Sequence, residues 1–197
     1  SVQMMQFARV NRDILLRSVM LQGIFLSFVF LGARFGDITL AANHVLLQFL
    51  EITAYSMDGF AIAAETLVGQ SMGARCVARV RRAALMTSFW GMITVICTAA
   101  AFALFGPAII DLMTTAPDVR VEARIYLPYM IAAPLVGCAA WMLDGIFIGA
   151  TRSGDMRNMM ALSAVIYIAA LLVLMPLIGN HGLWLALLIS FIARSIT

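Results

Sequence analysis

The hydrophobic and polar positions of this chain form long apolar runs separated by short polar connections. A membrane-spanning helix needs about 20 mostly apolar residues, whereas a strand of a membrane barrel alternates apolar and polar over about ten. The runs are of the first kind, and the spans that they predict cover residues 14–33, 40–72, 84–105, 125–148, 159–178 and, cut short, 183–197. The pattern therefore predicts an all-α integral membrane protein with six transmembrane helices.

The polar positions between the runs predict where the spans begin and end. Residues 1–13 are expected to form a linker, with Asn11 as the N-cap of the first span. Pro107 is expected to end the third span, and Pro128 and Pro134 are expected to kink the fourth. Because the chain opens without Met and its sixth run is incomplete, we expect it to be part of a longer protein.

The composition agrees with a lipid environment. Of the 197 residues, 63% are hydrophobic and 12% are charged, which is about half of the charged fraction of roughly 25% in soluble domains. So little charge cannot coat a surface that faces water, so most of the surface must face the lipid bilayer. The length is enough for one domain, and we expect residues 14–197 to form it.

The basic residues are all arginines, and their positions predict the orientation of the chain in the membrane. If residues 1–13 are cytoplasmic, ten arginines lie on that side and only Arg34, Arg120 and Arg124 lie on the other. Short loops rich in arginine stay in the cytoplasm. We therefore expect a multi-pass protein of the cytoplasmic (inner) membrane, with residues 1–13, 73–82 and 149–157 in the cytoplasm. The arginines form no stripe, so a nucleic-acid partner is not expected.

The second span carries a polar stripe. Glu51, Asp58 and Glu65 are spaced seven residues apart and share one face of a helix, and Gln48 and Tyr55 fall within the same wedge. An acid at the centre of a spanning helix costs about 2.5–3.5 kcal/mol on insertion scales. The acids are therefore expected to line a water-filled cavity, where a carboxylate that changes its protonation state would hold and release a cation.

A structural role is the alternative for each acid in a span. Asp58 and Glu65 would then form ion pairs with Arg17 or with loop arginines and hold helices together. Asp144, in the fourth span, is expected to pair with arginine or to cap the next helix, although a place in the transport pathway stays open for it. The remaining acids are expected to be solvated in loops or at caps: Asp13, Asp37, Asp111, Asp118, Glu122 and Asp155.

No pattern of residues indicates an enzyme, a metal site or a cofactor. The cysteines at positions 76, 97 and 138 form no CxxC pair, and His44 and His181 are far apart in the sequence. Neither an HExxH motif nor a serine–lysine pattern is present. We therefore expect neither an intramembrane enzyme nor a scaffold without transport activity, since a scaffold gains nothing from acids buried in a membrane.

Three segments resemble the multidrug and toxic compound extrusion (MATE) family, and its DinF-type branch in particular. Residues 55–74, YSMDGFAIAAETLVGQSMGA, look like the eighth helix of the family and the loop after it. Residues 141–152, WMLDGIFIGATR, look like the end of the tenth helix, and residues 11–17, NRDILLR, resemble the start of the seventh. The segments follow the order of the family, so the resemblance covers nearly the whole chain.

The resemblance implies the C-terminal six-helix lobe of a twelve-helix antiporter, with an N-terminal lobe as its partner. Such a multidrug efflux transporter exports small organic, often cationic, compounds against proton or sodium influx and needs no cofactor besides that ion. Other branches place a cation site in this lobe with an acid of the seventh helix, but residues 14–33 contain none. The acids of the second span remain the candidates. A flippase of lipid-linked oligosaccharides, which would require a cationic cavity, is the alternative.

Overall fold

The described residues form six α-helices. The computed structural model describes residues 2–196, with the backbone alone at positions 2, 3 and 6, so the outermost residue of the predicted linker and that of the sixth span lie outside it. The helices are α1 (Val2–Gly32), α2 (Asp37–Gly73), α3 (Val77–Met113), α4 (Pro117–Gly149), α5 (Ser153–Ile178) and α6 (Asn180–Ile196), with a 3-10 turn at Ala33–Phe35. By length and composition, α1 to α5 are able to cross a membrane, and α6 is a shorter apolar helix. The predicted all-α class is confirmed.

The helices extend beyond the predicted spans. α1 begins at Val2, so residues 2–13 are helical and the first helix starts before the predicted position 14; Asn11 is therefore not an N-cap. The prediction that Pro107 ends the third span is also wrong, since α3 continues past it. A proline removes one hydrogen bond from a helix, but an irregular backbone in lipid would leave several polar groups unsatisfied. Continuing the helix is therefore favoured.

Two of the connecting turns have the same backbone geometry. Arg75 after α2 and Thr151 after α4 both have positive φ, of 51° and 57°. One residue further on, the Cys76 amide donates to the carbonyl of Ser71 at 3.2 Å and the Arg152 amide donates to that of Phe147 at 2.9 Å. These bonds form the Schellman ending of a helix, in which glycine usually occupies the positive-φ position. Each turn reverses the chain within a few residues, so the helices that it joins run antiparallel.

Buried side chains of all six described helices form the main core. α2 packs against α3 and α4, α4 also contacts α6, and α5 joins the bundle through α1 and α6. Trp184 of α6 is fully buried at the centre, with Phe28 of α1 edge-on at 4.9 Å between ring centroids. Phe49 of α2 stacks on Phe102 of α3 at 5.0 Å. Buried aromatic pairs therefore join α1 to α6 and α2 to α3.

Glycines bring α2 and α4 into backbone contact. Gly145 and Gly149 lie one turn apart on one face of α4. A methyl group on either would overlap a backbone carbonyl of α2, that of Ala61 or that of Glu65. Small residues at this spacing let spanning helices approach closely. The paired residues advance in the same direction along both helices, so α2 and α4 run parallel. We call this contact the glycine seam.

Candidate functional site

The polar stripe predicted on the second span lies on the face of α2 that points away from the other helices. Gln48, Glu51, Tyr55 and Asp58 are all exposed, and Tyr55 is 72% accessible. The positions that α2 buries, such as Met57, lie about half a turn away around the helix. These four residues therefore share one surface as predicted, and within residues 2–196 no helix covers it.

The exposed faces of α3 and α5 are of a different kind. Their exposed side chains include large apolar ones: Phe89, Trp90 and Leu104 on α3, and Val165 and Leu172 on α5. Such faces suit contact with acyl chains. Glu51 and Asp58 in the same position would together cost about 5–7 kcal/mol, taking the insertion scale for each acid. The acidic face of α2 therefore belongs against water or another protein segment rather than lipid.

Glu65, the last acid of the stripe, is half-buried rather than open. It lies at the glycine seam, where a side chain on Gly149 would collide with the Glu65 carbonyl. The close approach of α4 therefore covers part of this residue. The structure thus separates Glu65 from the exposed residues Glu51 and Asp58, although all three lie on one side of α2.

None of the acids of the stripe has an ion-pair partner among the described residues. Arg17, which the structural alternative offered to Asp58 or Glu65, pairs with Asp144 instead. That alternative is therefore wrong for the described part of the chain. The polar contact on the stripe is between Gln48 Nε2 and His44 Nε2, at 3.5 Å.

Asp144 lies between two arginines from other helices. Its Oδ2 accepts hydrogen bonds from Arg17 of α1 and, at 2.7 Å, from Arg194 of α6. The Arg194 side chain is 5% exposed and that of Asp144 is 16% exposed. We call these residues the Asp144 triad. Of the roles that the sequence left open for Asp144, the structure shows pairing with arginine, and the pairing joins α1, α4 and α6.

The Asp144 triad holds two positive charges and one negative charge. Arg17 Nε and Arg194 Nη1 are buried without a hydrogen-bond partner in the described residues. A cavity of about 20 Å³ borders Asp144 and Arg194, which is enough for one water molecule. Because two guanidinium groups already surround the carboxylate, a metal cation would be repelled. The arrangement therefore disfavours a sodium site at Asp144.

The acids predicted to be solvated divide into three groups by exposure. Asp37 and Asp118 are exposed as predicted. Some are partly exposed and also bonded within the chain: Asp111, Glu122 and Asp155. The prediction is wrong for Asp13, which is 3% exposed and accepts a 2.7 Å hydrogen bond from Arg157 Nη1. Because α1 extends past Asp13 and packs on α5, an arginine replaces water as its partner.

The sequence pattern missed a buried amide pair near the other end of the bundle. Asn43 Nδ2 donates to Asn180 Oδ1 at 2.8 Å, and Asn180 Nδ2 donates to Asn43 Oδ1 at 3.0 Å. Trp184 Nε1 donates to the same Asn43 oxygen at 3.0 Å. A side-chain amide in an apolar span needs a partner within the protein. Asn43 is an amide that lies outside the polar stripe of α2. Its position on the apolar side of the helix could have indicated a buried polar partner.

Comparison with known proteins decides the family. The MatE family model matches residues 14–177, which is most of the chain. The chain belongs to the MatE family. This MatE chain is 42% identical over 191 residues to DNA damage-inducible protein F of Escherichia coli K12, covering 95% of the chain and 41% of that protein. It is 25% identical over 167 residues to Protein DETOXIFICATION 43 of Arabidopsis thaliana, covering 85% of the chain and 32% of that protein.

The MatE chain thus spans about two fifths or less of the length of these relatives.

Solved structures share its fold at low sequence identity. A mutant of the Vibrio cholerae MATE transporter VcmN matches with a TM-score of 0.83 and 16% identity, over 94% of this chain and 43% of that one. An outward-facing multidrug resistance MATE family transporter matches with a TM-score of 0.80 and 16% identity, over 93% and 41%. The resemblance seen in the sequence is confirmed, and the chain is a multi-pass membrane protein.

Proposed function

We propose that this MatE chain is one lobe of a secondary antiporter that exports organic cations in exchange for protons or sodium ions. The observation that carries the proposal is the exposed acidic face of α2, a helix long and apolar enough to cross a membrane. Acids on an open face of such a helix are tolerated where they line a water-filled cavity. The face with Glu51 and Asp58 therefore forms one wall of the transport pathway.

The opposite wall comes from a second, N-terminal lobe of the same transporter. The E. coli relative is more than twice as long as the part that this chain matches, which leaves room for a second unit of similar size. Repeated six-helix units with substrate sites between them are a common design of secondary transporters. The exposed stripe and the part of the relative that this chain does not match both support an N-terminal lobe as the partner.

The side chains of the stripe supply what the exchange of an organic cation requires. Ionised Asp58 attracts the cation, and protonation of Asp58 removes the charge and releases it. Glu51 acts in the same way two turns earlier on the helix, Gln48 offers an amide, and the exposed Tyr55 ring offers a face for a cation–π contact. Glu65, at the glycine seam, lies at the edge of this wall.

We place the α2–α3 and α4–α5 turns in the cytoplasm of a cell with an inner membrane. Support comes from the arginines of these turns, at positions 75, 79, 81, 82, 152 and 157, because arginine in short loops marks the cytoplasmic side. In this orientation α2 enters from the outer surface at Asp37 and ends in the cytoplasm at Gly73. The stripe then leads from the outer half of the membrane toward the inner half.

Efflux of a fluorescent cationic dye tests the proposal. Membrane vesicles would contain the full-length parent transporter as wild type or with Asp58→Asn, and either a proton or a sodium gradient would be imposed. Asparagine keeps the shape of the side chain but cannot carry the charge. We expect efflux to fall at least about tenfold, which corresponds to a loss of 1.4 kcal/mol of cation binding in the pathway.

Asp118→Asn is the matched control, because Asp118 is an exposed aspartate at the start of α4, away from the stripe. It should leave efflux unchanged at equal protein level in the membrane. Efflux that survives Asp58→Asn would remove Asp58 from the pathway. Movement of an anionic lipid-linked sugar instead of the dye would support a flippase of the same superfamily.

A further inference from the structure

A groove of about 400 Å³ lies between the last turns of α2 and the first turns of α3. Its volume is within the range of small-molecule sites. The groove is lined by charged and polar side chains together with apolar ones: Arg79, Arg82, Gln70, Ser71, Leu67 and Met86. Arg79 and Arg82 are three residues apart and share one face of α3. One wall of the groove therefore presents two guanidinium groups.

The arginines of this groove have no acidic partner in the part of the chain that the structure describes. Within residues 2–196, no carboxylate lies within ion-pair distance of Arg79 or Arg82. The equivalent turn between α4 and α5 differs, because there Arg152 pairs with Asp155 at 2.8 Å and Arg157 pairs with Asp13 at 2.7 Å. The groove thus concentrates positive charge that the described chain leaves unbalanced.

The position of the groove along α3 matches the level of lipid headgroups. Residues 83–110, directly after Arg82, contain no charged side chain and form the apolar part of this helix. Arg79 and Arg82 therefore lie at the boundary between the apolar core of the membrane and water. Leu67 and Met86, which are 44% and 50% exposed, provide an apolar surface toward the membrane core.

We propose that this groove binds one anionic phospholipid. Its phosphate accepts hydrogen bonds from the guanidinium groups of Arg79 and Arg82, which are well suited to phosphate oxygens. The exposed amide of Gln70 contacts the headgroup, and the first part of an acyl chain lies along Leu67 and Met86. The Ser71 hydroxyl takes no part, because it already donates to the Leu67 carbonyl at 2.7 Å.

Native mass spectrometry of the full-length parent tests the proposal, with phosphatidylglycerol and phosphatidylcholine as the probes. We expect one phosphatidylglycerol to bind preferentially. An arginine near an anionic lipid contributes about a fivefold gain in affinity, so Arg79→Gln with Arg82→Gln should weaken binding about 25-fold. Leu67→Trp changes no charge but fills the apolar part of the groove, and it should also lower the bound fraction.

Arg75→Gln with Arg81→Gln is the matched control. Both arginines are exposed and close in sequence, but neither lines the groove. This pair should change the affinity less than about threefold. Equal losses for the two double variants would mean diffuse surface attraction and would overturn the site, as would equal binding of the two lipids. Displacement of the lipid by millimolar inorganic phosphate would show a simple anion site instead. Dye efflux can be measured on the same variants. A loss of lipid binding is therefore distinguished from a failure of the proposed transport function.

Discussion

Replacing Asp144 with asparagine removes the one negative charge that two arginines from different helices share. Arg17 and Arg194 both donate to Asp144 Oδ2, and the Arg194 side chain is 5% exposed. Asparagine has nearly the same shape and still offers an oxygen as a hydrogen-bond acceptor. The substitution therefore isolates the effect of the charge from that of packing.

The size of the effect follows from the burial of the triad. Removing one partner from a buried ion pair costs about 3–5 kcal/mol, because it leaves a charge without compensation. Asp144 and Arg17 are 16% and 18% exposed, so water screens part of the charge and the lower end applies. We expect the free energy of unfolding to fall by about 3 kcal/mol. In a transition that unfolds this lobe alone, that corresponds to a melting temperature lower by about 6–12 °C. The shift is smaller where the whole parent unfolds together.

Thermal unfolding of the full-length parent in detergent measures this effect, and Asp111→Asn supplies the control. Asp111 also contacts two arginines, Arg120 and Arg124, but its side chain is 39% exposed. Exposed ion pairs contribute about 0–1 kcal/mol, so the control should barely shift the melting temperature. Removing Arg194 as well, in Asp144→Asn with Arg194→Gln, should recover part of the loss because the buried uncompensated charge is gone.

Equal melting temperatures for Asp144→Asn and Asp111→Asn would refute this reasoning. The triad would then have to be as well solvated as the exposed cluster at Asp111. A double variant less stable than Asp144→Asn alone would also contradict it, because the loss would then reflect packing of Arg194 rather than its unpaired charge.

Further predictions concern the glycine seam and the amide pair, each measured by the same thermal unfolding. Gly145→Ala should lower stability by about 1–3 kcal/mol because its methyl group overlaps the Ala61 carbonyl. Gly23→Ala, where nothing lies within 4 Å, should instead raise stability by about 0.5–1 kcal/mol, and the same sign for both variants would count against a close seam. Asn43→Ala should cost at least about 2 kcal/mol, because Asn180 and Trp184 lose their shared partner. Asn11→Ala, inside α1 and exposed, should stay within about 0.5 kcal/mol, and a larger loss would restore Asn11 as a cap.

The spans and the polar stripe could be predicted because both depend on spacing along a single helix. Apolar runs longer than a bilayer is thick have few alternatives to a helix. Once α2 is helical, its period brings Glu51 and Asp58 to one side, whatever surrounds it. That this side faces no other helix could also be predicted. The prediction rested on the cost of placing acids in lipid and needed no knowledge of contacts between helices.

Helix ends and long-range partners could not be predicted in the same way. Residues 2–13 contain neither glycine nor proline, so nothing in the sequence prevents α1 from starting early. The partners of Asp144 lie 127 and 50 residues away, whereas its nearest arginine in sequence, Arg152, pairs with Asp155. Which arginine reaches a buried acid depends on how each helix is rotated about its axis, and tertiary packing decides that rotation.

The glycine seam also restricts how this lobe can change shape. Two helices whose backbones touch at Gly145 and Gly149 cannot slide or turn past each other without steric collision. α2 and α4 therefore move as one rigid body. The distance between Asp58 on α2 and Asp144 on α4 should stay constant during any conformational change. α1 is not part of this contact, because it packs mainly on α5. Motion of the acidic face of α2 then requires α2 and α4 to tilt together.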